Sequence, residues 1–177
     1  MQTPRLIREL YLPREVVFDA WTDAGHLSQW YVPDGCEPGQ VIVEPVPGGR
    51  FDVNWTDLSG AAVRESGTFT EITRPEGFVL TLGYNPVGAA SGRESREVRA
   101  QGRLPHLRPE AAPAGTGRLR LILEDRVDAC QIVLSEELGA GRLPEVTTER
   151  LLESYGSAFR QQWERRLDRL EAYFSAI

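Results

Sequence analysis

The sequence predicts an α+β fold in which a curved antiparallel sheet of six or seven strands wraps around one long C-terminal helix, with two short helices after the first strand. Three observations carry that expectation. From residue 39 onward, and outside the segment 85–117, short runs alternate apolar and polar side chains between turn residues, the period of half-buried strands. Residues 147 to 177 carry an apolar stripe at steps of three or four, the period of a helix. Between the first strand and residue 31, two short runs switch to the helical period. A sheet with one apolar face needs cover, and the C-terminal helix is the largest apolar surface available.

The elements follow in order. RLIRELYLP, residues 5–13, alternates as a strand and stops at a proline. Pro13 suits the first turn of a helix, and Val17, Ala20 and Trp21 form a one-sided stripe through residues 13–23. Asp23 is placed to cap a second short helix whose apolar residues are Leu27, Trp30 and Tyr31. VIVEPV is then a strand, PGG a turn, and RFDVNWT a strand in which Phe51, Val53 and Trp55 face the core while Asp52, Asn54 and Thr56 face water. VRESGTFTEITR and GFVLTLGY are two further strands, the second with Phe78, Leu80, Leu82 and Tyr84 on one side. RLRLILED and ACQIVLSEEL, joined by a tight turn at DRVD, form the last pair.

The segment from Asn85 to Gly117 has a different texture, rich in Gly, Ala, Pro and Arg, and is expected to be an irregular or mobile insertion in a single domain spanning 1–177. In the C-terminal helix, Leu152, Tyr155, Phe159, Trp163, Leu167, Leu170, Phe174 and Ile177 share one face. The acids and arginines of ERRLDRLE are expected on the solvent side, and Gly156 to mark a bend or a close contact.

Composition narrows the chemistry. With 177 residues, 41% apolar and 26% charged, the chain has the makeup of a globular domain. The formal charge of -6 works against long-range attraction to nucleic acid or anionic lipid. All 20 basic residues are arginines, so lysine Schiff-base chemistry and a phosphate loop built on lysine are excluded. Cys36 and Cys130 stand far apart, His26 and His106 occur alone, and no metal site or cofactor is implied. The arginines of the insertion have no interleaved aromatic residues to stack bases, so no nucleic-acid partner is expected. No apolar run long enough for a membrane span and no signal-like opening are visible, and the expected location is the cytoplasm.

Four stretches resemble the START-like, helix-grip (SRPBCC) superfamily, and within it the branch named for the activator of heat-shock-protein-90 ATPase: residues 13–33, PGGRFDVNW at 47–55, ESGTFTEITRPEGFVLT at 65–81 and QWERRLDRLEAYF at 162–174. The matching positions are Ala20, Trp21, Leu27 and Trp30 in the helical opening, Gly48, Gly49 and Phe51 at the hairpin, Gly67, Phe69 and Glu71 in the next strand, and Trp163, Leu167 and Leu170 in the long helix. The resemblance implies a cavity between sheet and helix, in a superfamily that includes lipid carriers, hormone receptors, aromatic polyketide cyclases and co-chaperone domains. Two features depart from it. Gln162 stands where many relatives have glycine before the tryptophan, and the segment from Asn85 to Gly117 is longer than the usual connection.

A strongly bent sheet and a straight helix diverge along their length, so an elongated apolar pocket between them is expected. Its expected lining is Phe51, Val53 and Trp55 from one strand, Phe69 from the next, Leu80, Leu82 and Tyr84 from the third, Leu121 and Leu123 from the fourth, and Tyr155, Phe159 and Trp163 from the helix. Glu71, His26 and Gln162 are candidate polar contacts, and Tyr84 and Tyr155 candidate polar handles in the same walls. No Ser-His-Asp order, HExxH motif or nucleotide fingerprint is present, and no residue is assigned a catalytic role. Three functions stay open: binding of a small or medium hydrophobic molecule, a co-chaperone-like or stress-related interaction module acting on a protein partner or as a homodimer, and a cyclase- or hydratase-type enzyme using the same cavity.

Overall fold

The computed structural model of the chain describes residues 3–86, 117–137 and 149–177, with side chains at all of these except 83–86, 149–152, 154 and 155. Seven strands form one sheet: β1 (Arg5–Leu10), β2 (Glu37–Val43), β3 (Arg50–Thr56), β4 (Ala62–Thr73), β5 (Gly77–Pro86), β6 (Gly117–Arg126) and β7 (Ala129–Glu137). Two short helices, α1 (Arg14–Thr22) and α2 (Ala24–Trp30), follow β1, and the long helix α3 (Glu149–Ser175) ends the fold. The stretch expected to be an insertion lies outside the described residues from 87 to 116, while its flanks, Asn85, Pro86 and Gly117, are strand residues.

The spatial order is β1-β7-β6-β5-β4-β3-β2, antiparallel throughout. From β2 to β7 each strand pairs with its successor, and Asp128 in the left-handed region at φ 57° closes the β6–β7 turn. β1 and β2 are the two edges, and the chain between them must cross the width of the sheet. Helices α1 and α2 make that crossing. Pro13 opens α1, the Asp23 side chain accepts the His26 amide at 2.9 Å to cap α2, and the Trp30 indole donates to the Ala20 carbonyl at 2.9 Å.

The inner face of the sheet is the one that alternation selects. Leu6 and Leu10, Phe51, Val53 and Trp55, Val63 and Phe69, Phe78, Leu80 and Leu82, the three leucines of β6, and Cys130, Ile132 and Leu134 all join one buried cluster with Trp21, Trp30, Phe159, Trp163, Leu167 and Leu170. Neighbouring strands approach closely, and Gly67 in β4 shows why a glycine is needed there. A Cβ at that position would stand 2.0 Å from the Thr81 carbonyl oxygen of β5.

Helix α3 is tied at several points. Arg8, on edge strand β1, reaches Glu164 at 2.9 Å and Asp168 at 2.7 Å, and also pairs with Glu171. Arg169 donates to the Trp30 carbonyl at 3.0 Å, closing the C-terminal end of α2. His26, near the start of α2, meets Tyr173 and Phe174 near the end of α3, so the two helices run in opposite directions.

Several sequence expectations are corrected. Arg166, assigned to the solvent side with the rest of ERRLDRLE, is only 1% exposed, because it follows Trp163 by three positions and so lies on the apolar face. Asp52 does point away from the core residues Phe51 and Val53, but it is buried under Arg64, whose Nε donates to Asp52 at 2.9 Å, with Arg50 and Asn54 alongside. Ile177, counted in the helical stripe, lies beyond the helix and is exposed. At Gly156 the nearest described atom to a Cβ placed there is Arg160 Nη1 at 3.5 Å, an ordinary contact.

Candidate ligand site between sheet and helix

The expected lining residues that carry described side chains, from Phe51 through Trp163, are buried in the single inner cluster. Their aromatic rings are linked. Phe51 meets Phe69, Phe69 meets Phe78, Phe78 meets Trp21, and Trp21 stacks on Trp163 with centroids 5.3 Å apart. The side chains of Tyr84 and Tyr155 lie outside the described residues, although the backbone of Tyr84 stands opposite Glu65 in the β4–β5 register.

The three candidate polar contacts do not share one place. Gln162 is buried on α3 beside Trp163. His26 is half-buried at the other end of the helix, its Nδ1 2.9 Å from the Tyr173 hydroxyl. Glu71 is on the outer face, with Arg118 at 3.4 Å and Arg120 at 3.7 Å. Simple alternation from Phe69 would have put Glu71 inside. A bulge between Phe69 and Glu71 reverses the parity, so that Glu71 pairs with outward-facing Val79.

The buried charged pair of the interior was not among the expected residues. Glu65 shares the inward parity of Val63 and Phe69 on β4, is 4% exposed, and accepts a hydrogen bond from Arg166 Nη2 at 2.9 Å. The Arg166 guanidinium carbon lies 4.1 Å from the Tyr31 ring centroid and 4.7 Å from that of Trp163, so the cation sits over two aromatic rings. Burial alone would pull the guanidinium down, but Glu65 and Tyr31 outweigh it and leave Arg166 firmly charged. Burial pushes the Tyr31 phenol well above its usual range; Arg166 opposes that shift and Glu65 adds to it, so Tyr31 stays a neutral donor at neutral pH.

This cluster has more donors than acceptors. Arg166 Nε and Nη1, the Tyr31 hydroxyl and the Trp21 indole nitrogen are buried without a hydrogen-bond partner among the described residues. The Tyr31 hydroxyl is near enough to Glu65 and Arg166 for both to act on it through charge and weak hydrogen bonding, yet neither meets it at ordinary hydrogen-bond geometry. The signal for Arg166 and Glu65 was present in the sequence, as positions 159, 162, 163, 166, 167 and 170 recur at helical spacing and 63, 65, 67 and 69 at strand spacing. A charged residue at such a position reads as a break in the stripe until its partner on another element is known.

No catalytic constellation is assembled among the described residues, and no group of three or more His, Cys, Asp or Glu is placed there to hold a metal ion. Burial pushes the Cys130 thiol up to about 11, which leaves it protonated and unreactive at neutral pH. Among the described residues no helix is long and apolar enough to cross a membrane.

A seven-stranded antiparallel sheet closed over a long C-terminal helix, with two short helices bridging its edges, defines the helix-grip class of the START-like (SRPBCC) superfamily. The chain belongs to the family described as activator of Hsp90 ATPase homolog 1-like protein, whose pattern it matches over residues 11–175. Solved structures agree on the fold. A protein from Rhodobacter sphaeroides superposes with a TM-score of 0.68 at 15% identity, covering 99% of each chain. One from Nitrosomonas europaea gives 0.67 at 18% identity, covering 98% of this chain and 94% of that one. An HSP90 activator from Plasmodium falciparum gives 0.59 at 18% identity, covering 99% and 97%. No curated protein matches the chain. The fold is consistent with a hydrophobic ligand cavity between sheet and helix.

Proposed function

We propose that the protein binds a small or medium-sized apolar, aromatic-compatible molecule between the inner face of the sheet and α3. The observation that carries this reading is the composition of the interior. Its walls are aromatic and aliphatic side chains of Phe51, Phe69, Leu80, Leu121, Phe159 and Trp163, and its few polar groups include the buried Arg166 and Glu65, the pattern of small-molecule sites in which apolar area gives affinity and a few polar groups give orientation. Native mass spectrometry of protein purified from its source cells tests it. The expected result is a retained molecule, on the order of a few hundred daltons, whose mass is lost on Trp163→Ala. Bare protein that also fails to bind a panel of hydrophobic probes contradicts the reading.

A second reading, a protein-interaction module of the kind the family description and the Plasmodium falciparum structure name, draws on the outer face. There Ile7 and Ile122 flank Val133 in register across β1, β7 and β6, and are 51% and 39% exposed. Stimulation of a purified Hsp90 ATPase by this protein, lost on Ile122→Glu, would favour that reading over ligand binding.

A further inference from the structure

We propose that the molecule held between sheet and helix carries an uncharged oxygen acceptor, a ketone or other carbonyl, bound by the N–H groups of Arg166 and the hydroxyl of Tyr31. The inference rests on the ligand-binding reading above and names the chemistry of the ligand's polar end.

A guanidinium offers five N–H donors. Glu65 accepts one of them, from Nη2 at 2.9 Å. The rings of Tyr31 and Trp163 lie against the guanidinium carbon and attract its charge, but a ring face supplies no oxygen or nitrogen acceptor to its N–H groups. Nε and Nη1 are left without an acceptor among the described residues, and the side chain is 1% exposed. The Tyr31 hydroxyl beside it is likewise buried; Glu65 and Arg166 lie close to it, but neither meets it at ordinary hydrogen-bond geometry. Buried donors in this state are rare because each keeps its full desolvation cost, and here two adjoining side chains share the same deficit.

The charge balance selects the kind of acceptor. Arg166 is matched by Glu65, and Arg169, a second cation whose charge acts on Arg166, by Asp34, so a carboxylate ligand would bring an uncompensated negative charge into a dry region beside Glu65. A carbonyl oxygen accepts without charge and without adding another donor, and therefore complements the set. A site built this way discriminates strongly against an analogue of the same shape that lacks the oxygen, because the donors then remain buried and unmet.

Three probes of similar shape separate the outcomes: methyl naphthyl ketone, ethylnaphthalene and naphthoate, titrated into the full chain and followed by the tryptophan indole N–H resonances. The ketone is expected to bind about tenfold or more tighter than either analogue. Tyr31→Phe and Arg166→Met are each expected to shrink the ketone's advantage over the hydrocarbon to about threefold or less, with the hydrocarbon's own affinity held. Arg166→Met leaves Glu65 without its counter-charge and risks misfolding. Tyr31→Phe removes one oxygen that makes no hydrogen bond of ordinary geometry and leaves the Glu65–Arg166 pair in place, so it keeps the test decisive. Equal affinities for ketone and hydrocarbon overturn this inference while leaving ligand binding intact. Tightest binding by naphthoate overturns the uncharged acceptor, and binding of none of the three overturns both this inference and the reading beneath it.

Discussion

The Glu65–Arg166 pair is the most exacting feature at the scale of single residues. Both side chains are buried, and removing one leaves the other as an uncompensated charge. Glu65→Gln is therefore expected to cost about 3 to 5 kcal/mol of stability in urea unfolding, while the double replacement Glu65→Leu with Arg166→Met recovers most of it. A Glu65→Gln loss below about 1 kcal/mol would show that the pair is not buried as described. Asp52 supplies a pH-dependent counterpart on the other face. The hydrogen bond from Arg64 is the main influence holding its carboxyl below the ordinary value, so its contribution is present above about pH 4 and fades as acid protonates the folded state. Compared with Asp52→Asn, the wild type should be more stable at pH 6 and lose that advantage progressively below about pH 4. An advantage that grows in acid would contradict the assigned sign. Neither pair was legible in advance, because helical and strand spacing places Arg166 and Glu65 on inward faces but only the fold brings residues 101 positions apart into contact.

At the scale of elements, the strands were readable wherever alternation was unbroken. β3 runs from Arg50 to Thr56 as RFDVNWT does, and the two short helices begin where Pro13 and Asp23 mark them. The extra residue between Phe69 and Glu71 was not readable, and it alone decides that Glu71 faces the outer arginines. The close approach of β4 and β5 leaves no room at Gly67. Gly67→Ala should destabilise the protein by about 2 kcal/mol or more, measured by urea unfolding, and a neutral result would mean that the strands are not so tightly apposed. Arg8 joins edge strand β1 to the acidic stripe of α3, formed by Glu164, Asp168 and Glu171 at helical spacing. Its partners are largely solvated, so Arg8→Met should cost about 1 kcal/mol in dilute buffer and less at about 1 M salt. An effect that salt leaves unchanged would assign the role of Arg8 to its aliphatic stem rather than its charge.

Over the whole molecule, the architecture follows from one requirement: a seven-stranded sheet with an apolar inner face must be covered, and α3 supplies the cover while α1 and α2 bridge the two edges. That much could be read from periodicity, since Phe159, Trp163, Leu167 and Leu170 lie inside as their spacing requires. What periodicity does not encode is the polarity of the interior, which depends on partners from the end of α2, from β4 and from α3 meeting in space: Tyr31, Glu65 and Arg166. The same cluster that joins the helix to the sheet thus keeps buried donors without partners among the described residues. Intermolecular nuclear Overhauser effects between methyl naphthyl ketone and the protein locate the bound molecule. Contacts from the ketone to Phe51, Phe69 and Trp163 are expected if it lies between sheet and helix, and contacts confined to outer-face residues such as Ile7 and Ile122 rule that position out.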